Sequence, residues 1–299
     1  MTKLAILADI HGNLPALEAV RADLADFPVD LVVVAGDVIN WGPFSAQVMA
    51  CVVEAGWAVI RGNNEYYLTD YRTSRAPAAW SGHDQWPLLP WLCAQMAPRW
   101  TTTVAAWPDS LSLRFPDAPA IRVVHGSPRG NNDPIFVTTP EADLAARLAG
   151  VDEPTLIAAH THLPLERRVR GLAGQSWQVL NPGSVGVPLD GQHVARYMLL
   201  ESSDDEWRAT WRELPLDPAP VLREFERQDF LAQCGVIGHF VVAEFQHARL
   251  ELRPFILWHE ANCPERQLTP DILDDYARVD PLPYVDEPYW AGWKADGAR

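Results

Sequence analysis

The sequence predicts an α/β fold built in layers, and three observations carry that expectation. Short continuous apolar runs recur, each ending abruptly in a polar motif: Leu4 to Ala8 before Asp9, Leu31 to Ala35 before Gly36-Asp37, Trp57 to Ile60 before Arg61-Gly62-Asn63. Amphipathic stretches at helical spacing lie between them, the alternation of a mainly parallel sheet covered on both faces. A hydrophobic content of 48% over 299 residues excludes disorder and can fill one large domain with an appendage.

The elements follow in order. Leu14, Leu17, Val20, Ala22 and Leu24 mark a first helix, and Phe44 to Glu54 a second after the turn Asn40-Trp41-Gly42-Pro43. From Tyr66 to Pro108 the chain turns rich in tryptophan and proline, which predicts short helices packed over the sheet edge or beside a cleft. An aromatic set of this kind either staples the insert as a small core or stacks on a base or aryl group. Leu111 to Phe115 and Ile121 to Val124 read as strands, Thr139-Pro140-Glu141 opens a helix to Leu148, and Leu156 to Ala159 is another buried strand. Further strands are expected at Leu165 to Val169 and Trp177 to Leu180, with Val194 to Leu200 and Trp207 to Leu214 as a closing antiparallel pair. A second sheet of such strands facing the first gives an α/β/β/α body over residues 1–214, with 66–108 as the insert. Residues 215–299 form a C-terminal extension. In it Pro220 to Gln233 and a segment from Thr269-Pro270-Asp271 to Arg278 read as helices, and the aromatic last twenty residues pack on the body or a second subunit.

Composition removes several classes of function. A net charge of −15 argues against general nucleic-acid or anionic-membrane binding, which draws on Lys and Arg. Cys51, Cys93, Cys234 and Cys263 are widely spaced with no C-x-x-C, which suits reduced thiols in a cytoplasm. The first apolar run is only a strand long, neither a signal peptide nor a membrane span. The expected location is therefore cytoplasmic.

The chemistry lies at the strand ends, where open α/β sheets bind ligands. Five motifs occur there: Asp9-x-His11, Gly36-Asp37, Gly62-Asn63, His125-Gly126 and His160-Thr161-His162. Each alone is an ordinary turn or loop. Together they supply imidazole, carboxylate and amide oxygen, donors that suit manganese, iron, zinc, nickel or cobalt, so the assembly reads as a two-metal phosphoesterase site. The remaining histidines, His83, His193, His239, His247 and His259, have no ligand spacing and take ordinary surface or core roles.

These motifs resemble the calcineurin-like metallophosphoesterases, and His125-Gly126-Ser127-Pro128 with Asn181-Pro182-Gly183-Ser184-Val185-Gly186 is similar to a small bacterial and archaeal branch. The resemblance spans residues 3 to 200. It implies a sandwich fold holding two divalent transition-metal ions, one on Asp9, His11 and His162, the other on Asn63, His125 and His160, bridged by Asp37. A hydroxide bridging the two would attack phosphorus directly, without a covalent enzyme intermediate. Many members carry His after the ligand asparagine, whereas this chain has Asn64, which can contact phosphate but cannot supply a proton. Phosphodiesters are therefore favoured over monoesters. Ala159 stands where glycine is common. Arg61, matching an arginine near the phosphate in the protein-phosphatase branch, is a candidate substrate contact or else a salt-bridge partner; Asn13 is another candidate contact, and the Asn181 to Ser184 loop borders the site. The substrate is expected to be a small phosphate ester, a nucleotide among the candidates, and a homo-oligomer could form through the C-terminal region. The alternatives are a dinucleoside-polyphosphate hydrolase, a protein phosphatase, and a non-catalytic scaffold of the same fold.

Overall fold

A computed structural model describes residues 1–81, 86–96, 98–171, 174–203 and 206–294. The chain opens with β1 (Lys3–Leu7), α1 (Leu14–Leu24), β2 (Leu31–Val34), α2 (Ser45–Glu54), β3 (Ala58–Val59) and α3 (Asn63–Asp70). α4 (Leu88–Met96) and α5 (Thr101–Ala106) complete the insert, followed by β4 (Ser110–Phe115), β5 (Ala118–Val124), α6 (Glu141–Leu148), β6 (Thr155–Ile157), β7 (Leu165–Arg170) and β8 (Ser176–Asn181). β9 (Val194–Ser203) and β10 (Glu206–Pro215) end the sandwich, and α7 (Ala219–Arg227), α8 (Phe230–His247), α9 (Leu252–Asn262), α10 (Asp271–Tyr276) and α11 (Trp290–Lys294) make the extension.

Two five-stranded sheets face one another, ordered β10-β9-β1-β2-β3 and β4-β5-β6-β8-β7. Between them, Leu4, Ile6 and Val33 of the first meet Ile121, Ile157 and Leu180 of the second in a fully buried layer. α1 and α2 cover the outer face of the first sheet through Leu17, Val20, Val48 and Met49. Leu144 and Leu148 of α6 cover the second. This is the α/β/β/α order, and burial of both sheet faces explains why the strands read as continuous apolar runs.

Two expectations need correction. The first sheet is mixed, since β1-β2 and β2-β3 are parallel but β1-β9 and β9-β10 are antiparallel. The β9-β10 pair also joins this first sheet rather than the second, because β9 finds the free edge of β1, with Ala5 opposite Leu199. The second sheet is mixed in the same way.

The extension departs furthest from expectation. A helix over 220–233 is broken at Asp229, whose left-handed φ of 52° separates α7 from α8. α8 and α9 were not foreseen as such. Phe230, Ile237, Phe240, Val241, Phe245 and Phe255 from them build a separate core with Leu88 and Trp91 of the insert and Val285 and Tyr289 of the last segment. The insert is thus divided: Leu92, Met96, Trp100 and Val104 serve the sandwich core, while Leu88 and Trp91 serve the extension.

Candidate metal centre

The site forms where the loops after β1 and β2 lock together. Asp9 N–H donates to Gly36 O at 3.1 Å, His11 N–H to Asp37 O at 2.9 Å, and Gly12 N–H to Val38 O at 3.0 Å. Asp9, His11, Asp37, His160 and His162 all adopt positive φ, between 48° and 66°. Left-handed backbone costs an L-residue on the order of 1–2 kcal/mol, so the strain is concentrated on the side chains that converge. Gly62 is required for another reason: a Cβ there would stand 2.1 Å from Asp37 Oδ1.

Six side chains form two groups. Asp9, His11 and His162 bring one donor atom each to within 4.8 Å of one another, and so do Asp37, His125 and His160. Asn63 Oδ1 lies 3.0 Å from His125 Nε2 and joins the second group. Asp37 Oδ2 connects the two, 3.6 Å from His11 Nε2 and 3.2 Å from His125 Nε2. Backbone carbonyls fix two tautomers: His162 Nδ1 donates to Val187 O at 2.5 Å and His125 Nδ1 to Ala35 O at 2.8 Å. Each ring therefore turns Nε2 inward, the arrangement that orients histidine ligands.

The electrostatics ask for a cation. Burial pushes the imidazoles of His11, His160 and His162 down to about 4, 3 and 3, so all are neutral and offer a lone pair. Burial also disfavours charge on His125, but Asp37 and Asp9 outweigh it and push that ring up to about 10. Burial together with the Asp37 charge drives Asp9 well above the usual carboxylate range. Asp9 is fully buried, and among the described residues neither of its carboxylate oxygens has a side-chain hydrogen-bond partner. Such a group is costly unless paired or coordinated. His11 Nε2 and His162 Nε2 face each other at 3.2 Å, a spacing that two imidazoles take on one ion with metal–nitrogen bonds of about 2.1 Å. The donors present therefore fit divalent transition metals.

The other expected site residues are held by protein partners. Asn64 Nδ2 donates to Asp37 Oδ2 at 2.6 Å, its N–H donates to Asp37 Oδ1, and its Oδ1 accepts from Asn40, which makes it a positioner of Asp37. Arg61 lies 2.8 Å from Asp109 Oδ1 and over the Tyr66 ring. Asn13 caps α1 by accepting from Ala16 N–H and donates to Gly186 O at 2.7 Å. In the Asn181 to Ser184 loop, Asn181 Nδ2 donates to Ala159 O, and Ser184 Oγ donates to Asp9 O. His83 lies outside the described residues.

Four residues went unread in the sequence. Glu65 is fully buried and accepts from the N–H groups of Gly62, Asp37, Val38 and Ile39, tying the second strand end to the third. Its place three residues into a helix after Gly62 is a capping signal that could have found it. Tyr67 lies beside Asn63, and burial pushes its hydroxyl up to about 12. Trp41 packs on His11 with ring centroids 4.8 Å apart. Tyr289 donates to Thr161 O at 2.9 Å and so brings the extension to the paired-histidine loop. Nothing local in the sequence marks the last two.

Two cavities meet at Asn63 and Tyr67. One, of about 800 Å³, is polar and reaches Arg122, Arg129 and Asn131 on the second-sheet side. The other, of about 360 Å³, runs between the insert and the extension.

The model of the calcineurin-like phosphoesterase superfamily domain matches residues 2–205. A metallophosphoesterase from Sphaerobacter thermophilus is 21% identical, with 83% of this chain and 99% of that one covered and a TM-score of 0.62. A hypothetical protein from Pyrococcus horikoshii OT3 is 19% identical, with 79% and 97% covered and a TM-score of 0.66. At these identities the likeness is one of fold. No curated protein matches this chain.

Proposed function

The chain belongs to the calcineurin-like phosphoesterase superfamily, and from that premise we propose that it is a hydrolase of phosphate esters using two divalent metal ions, with phosphodiesters favoured. The observation that carries this is Asp37 Oδ2, set 3.6 Å from His11 Nε2 and 3.2 Å from His125 Nε2. One carboxylate oxygen between two donor groups is what a bridged pair needs. Asp9, His11 and His162 would hold one ion, and Asn63, His125 and His160 the other. When bound, such ions acidify water and offset charge on phosphoryl oxygens.

The protein's own residues do the rest. Glu65 accepts from the Asp37 backbone N–H, Asn64 donates to the Asp37 carboxylate, Val187 O and Ala35 O aim two imidazoles, and Tyr67 lies against the Asn63 amide. Asn64 supplies no proton to a leaving group, and its amide already serves Asp37 and Asn40. Esters with good leaving groups are therefore the favoured substrates. Turnover of an aryl phosphodiester should exceed that of the matching monoester under saturating manganese, and a much faster monoester would reverse this order. The scaffold alternative is disfavoured because every donor position is filled.

A further inference from the structure

The pocket between insert and extension is built for more than closing the fold. Trp86 and Leu88 of the insert form one wall, and Leu252, Ile256 and Leu257 of α9 form the other. Positions 252, 253, 256, 257 and 260 follow helical spacing, so one face of α9 fronts the pocket. Phe255 and Trp258, on the opposite side, enter the extension's core. Asn63 and Asn64 also line the pocket, so its inner end is the metal centre. Its volume of about 360 Å³ lies within the range of small-molecule sites.

Among the described residues, two buried polar atoms lack partners here. Glu244 is 1% exposed and lines the pocket; its Oε1 accepts from the N–H groups of Glu251 and Leu252, while Oε2 has no hydrogen-bond partner among the described residues. Asn40 is 2% exposed and also lines it, and its Oδ1 has none among them either. Unmet buried groups beside apolar walls are costly unless a ligand meets them. Arg253 adds a cation on the same face of α9, 3.6 Å from Asp286.

We propose that this pocket receives one organic arm of the ester, and that the arm is a ring carrying hydrogen-bonding groups, such as a substituted phenol or a nucleobase. Apolar walls that include the rings of Trp41, Tyr67 and Trp86 favour a ring, and the polar lining of Asn40, Asn63, Glu244 and Arg253 disfavours a plain hydrocarbon. A polyol phosphate would leave the walls unmatched. The assignment of the arm to a substrate rests on the hydrolase reading, whereas the binding of the ring does not.

Ligand-observed NMR on the full chain tests binding without turnover, using adenosine, 4-nitrophenol and glycerol. Leu257→Trp fills the pocket and Ile256→Ala widens it, and neither residue belongs to the metal centre. Adenosine, 4-nitrophenol or both should bind, glycerol should not, and Leu257→Trp should weaken ring binding about tenfold or more. Binding of adenosine alone identifies a nucleotide arm, and of 4-nitrophenol alone an aryl arm. In parallel, kcat/KM for bis(4-nitrophenyl) phosphate should fall about tenfold in Leu257→Trp, through KM and with metal content unchanged. Ring binding lost in the variant without any hydrolysis in the wild type would keep the pocket and remove the hydrolase. Hydrolysis unaffected by both variants, or glycerol binding as well as the rings, would overturn the pocket and leave the hydrolase standing.

Discussion

At the scale of residues, the centre depends on side chains that never touch a reactant. Glu65 shows why. Its two oxygens accept from four backbone N–H groups, those of Gly62, Asp37, Val38 and Ile39, so an ionised carboxylate matches its surroundings. Burial and the neighbouring Asp37 charge nonetheless push its carboxyl up to about 7. Glu65→Gln keeps the shape but turns an amide N–H₂ toward N–H donors. We expect a loss of roughly 2–4 kcal/mol in denaturant unfolding with lower metal affinity, and an unchanged unfolding midpoint would show that the loops hold without it. The seven proposed ligand positions were legible because each follows an apolar strand, and strand ends are where a sheet presents loops. Glu65, Tyr67 and Trp41 were harder to read, since glutamate and aromatics have many roles and only three-dimensional proximity selects this one. Arg61 shows a different limit: its place beside Gly62 left phosphate and a salt bridge equally open, and Asp109 lies 2.8 Å from its guanidinium.

At the scale of elements, regular alternation made the sandwich readable and its absence hid the extension. α1 and α2 bury one face each, and their apolar residues recur at helical spacing. After Gly235, α8 buries residues on most of its circumference, Val236, Ile237, Gly238, Phe240, Val241, Ala243, Glu244 and Phe245. A helix apolar all round shows no amphipathic period, so its sequence does not announce it. The junction of α8 and α9 has a measurable signature. Burial pushes the Glu244 carboxyl up to about 8, with Glu251 adding in the same direction. In the unfolded chain this group ionises near its usual value, about 4.3. The folded state therefore binds the extra proton, and the contribution present at low pH is lost as pH rises toward about 8. Glu244→Gln should flatten the dependence of the melting temperature on pH between about 5 and 8, gaining on the wild type at the alkaline end. Parallel curves for the two proteins would contradict the burial of an acid there.

At the scale of the whole molecule, the extension completes the surround of the candidate metal centre instead of hanging from it. Tyr289 reaches Thr161, between the paired histidines, and Val285 joins a core with Leu88 and Trp91 of the insert. The aromatic character of the last segment suggested the body or a second subunit as its partner, and its described residues pack on the body of the same chain. A homo-oligomer through this region is a separate proposal: light scattering should show a multimer that is lost on removing residues after about 265, and an identical monomer mass with and without them would remove it. Among the described residues no helix is long and apolar enough to cross a membrane. The central claim is that Asp37 joins two metal sites, and metal analysis of the purified chain beside its Asp37→Asn variant tests it most directly. Two ions per chain in the wild type, with at most one in the variant and no manganese-dependent hydrolysis of an aryl phosphodiester, is the expected result. Equal metal content in both, or no metal and no activity under any divalent ion, would contradict it.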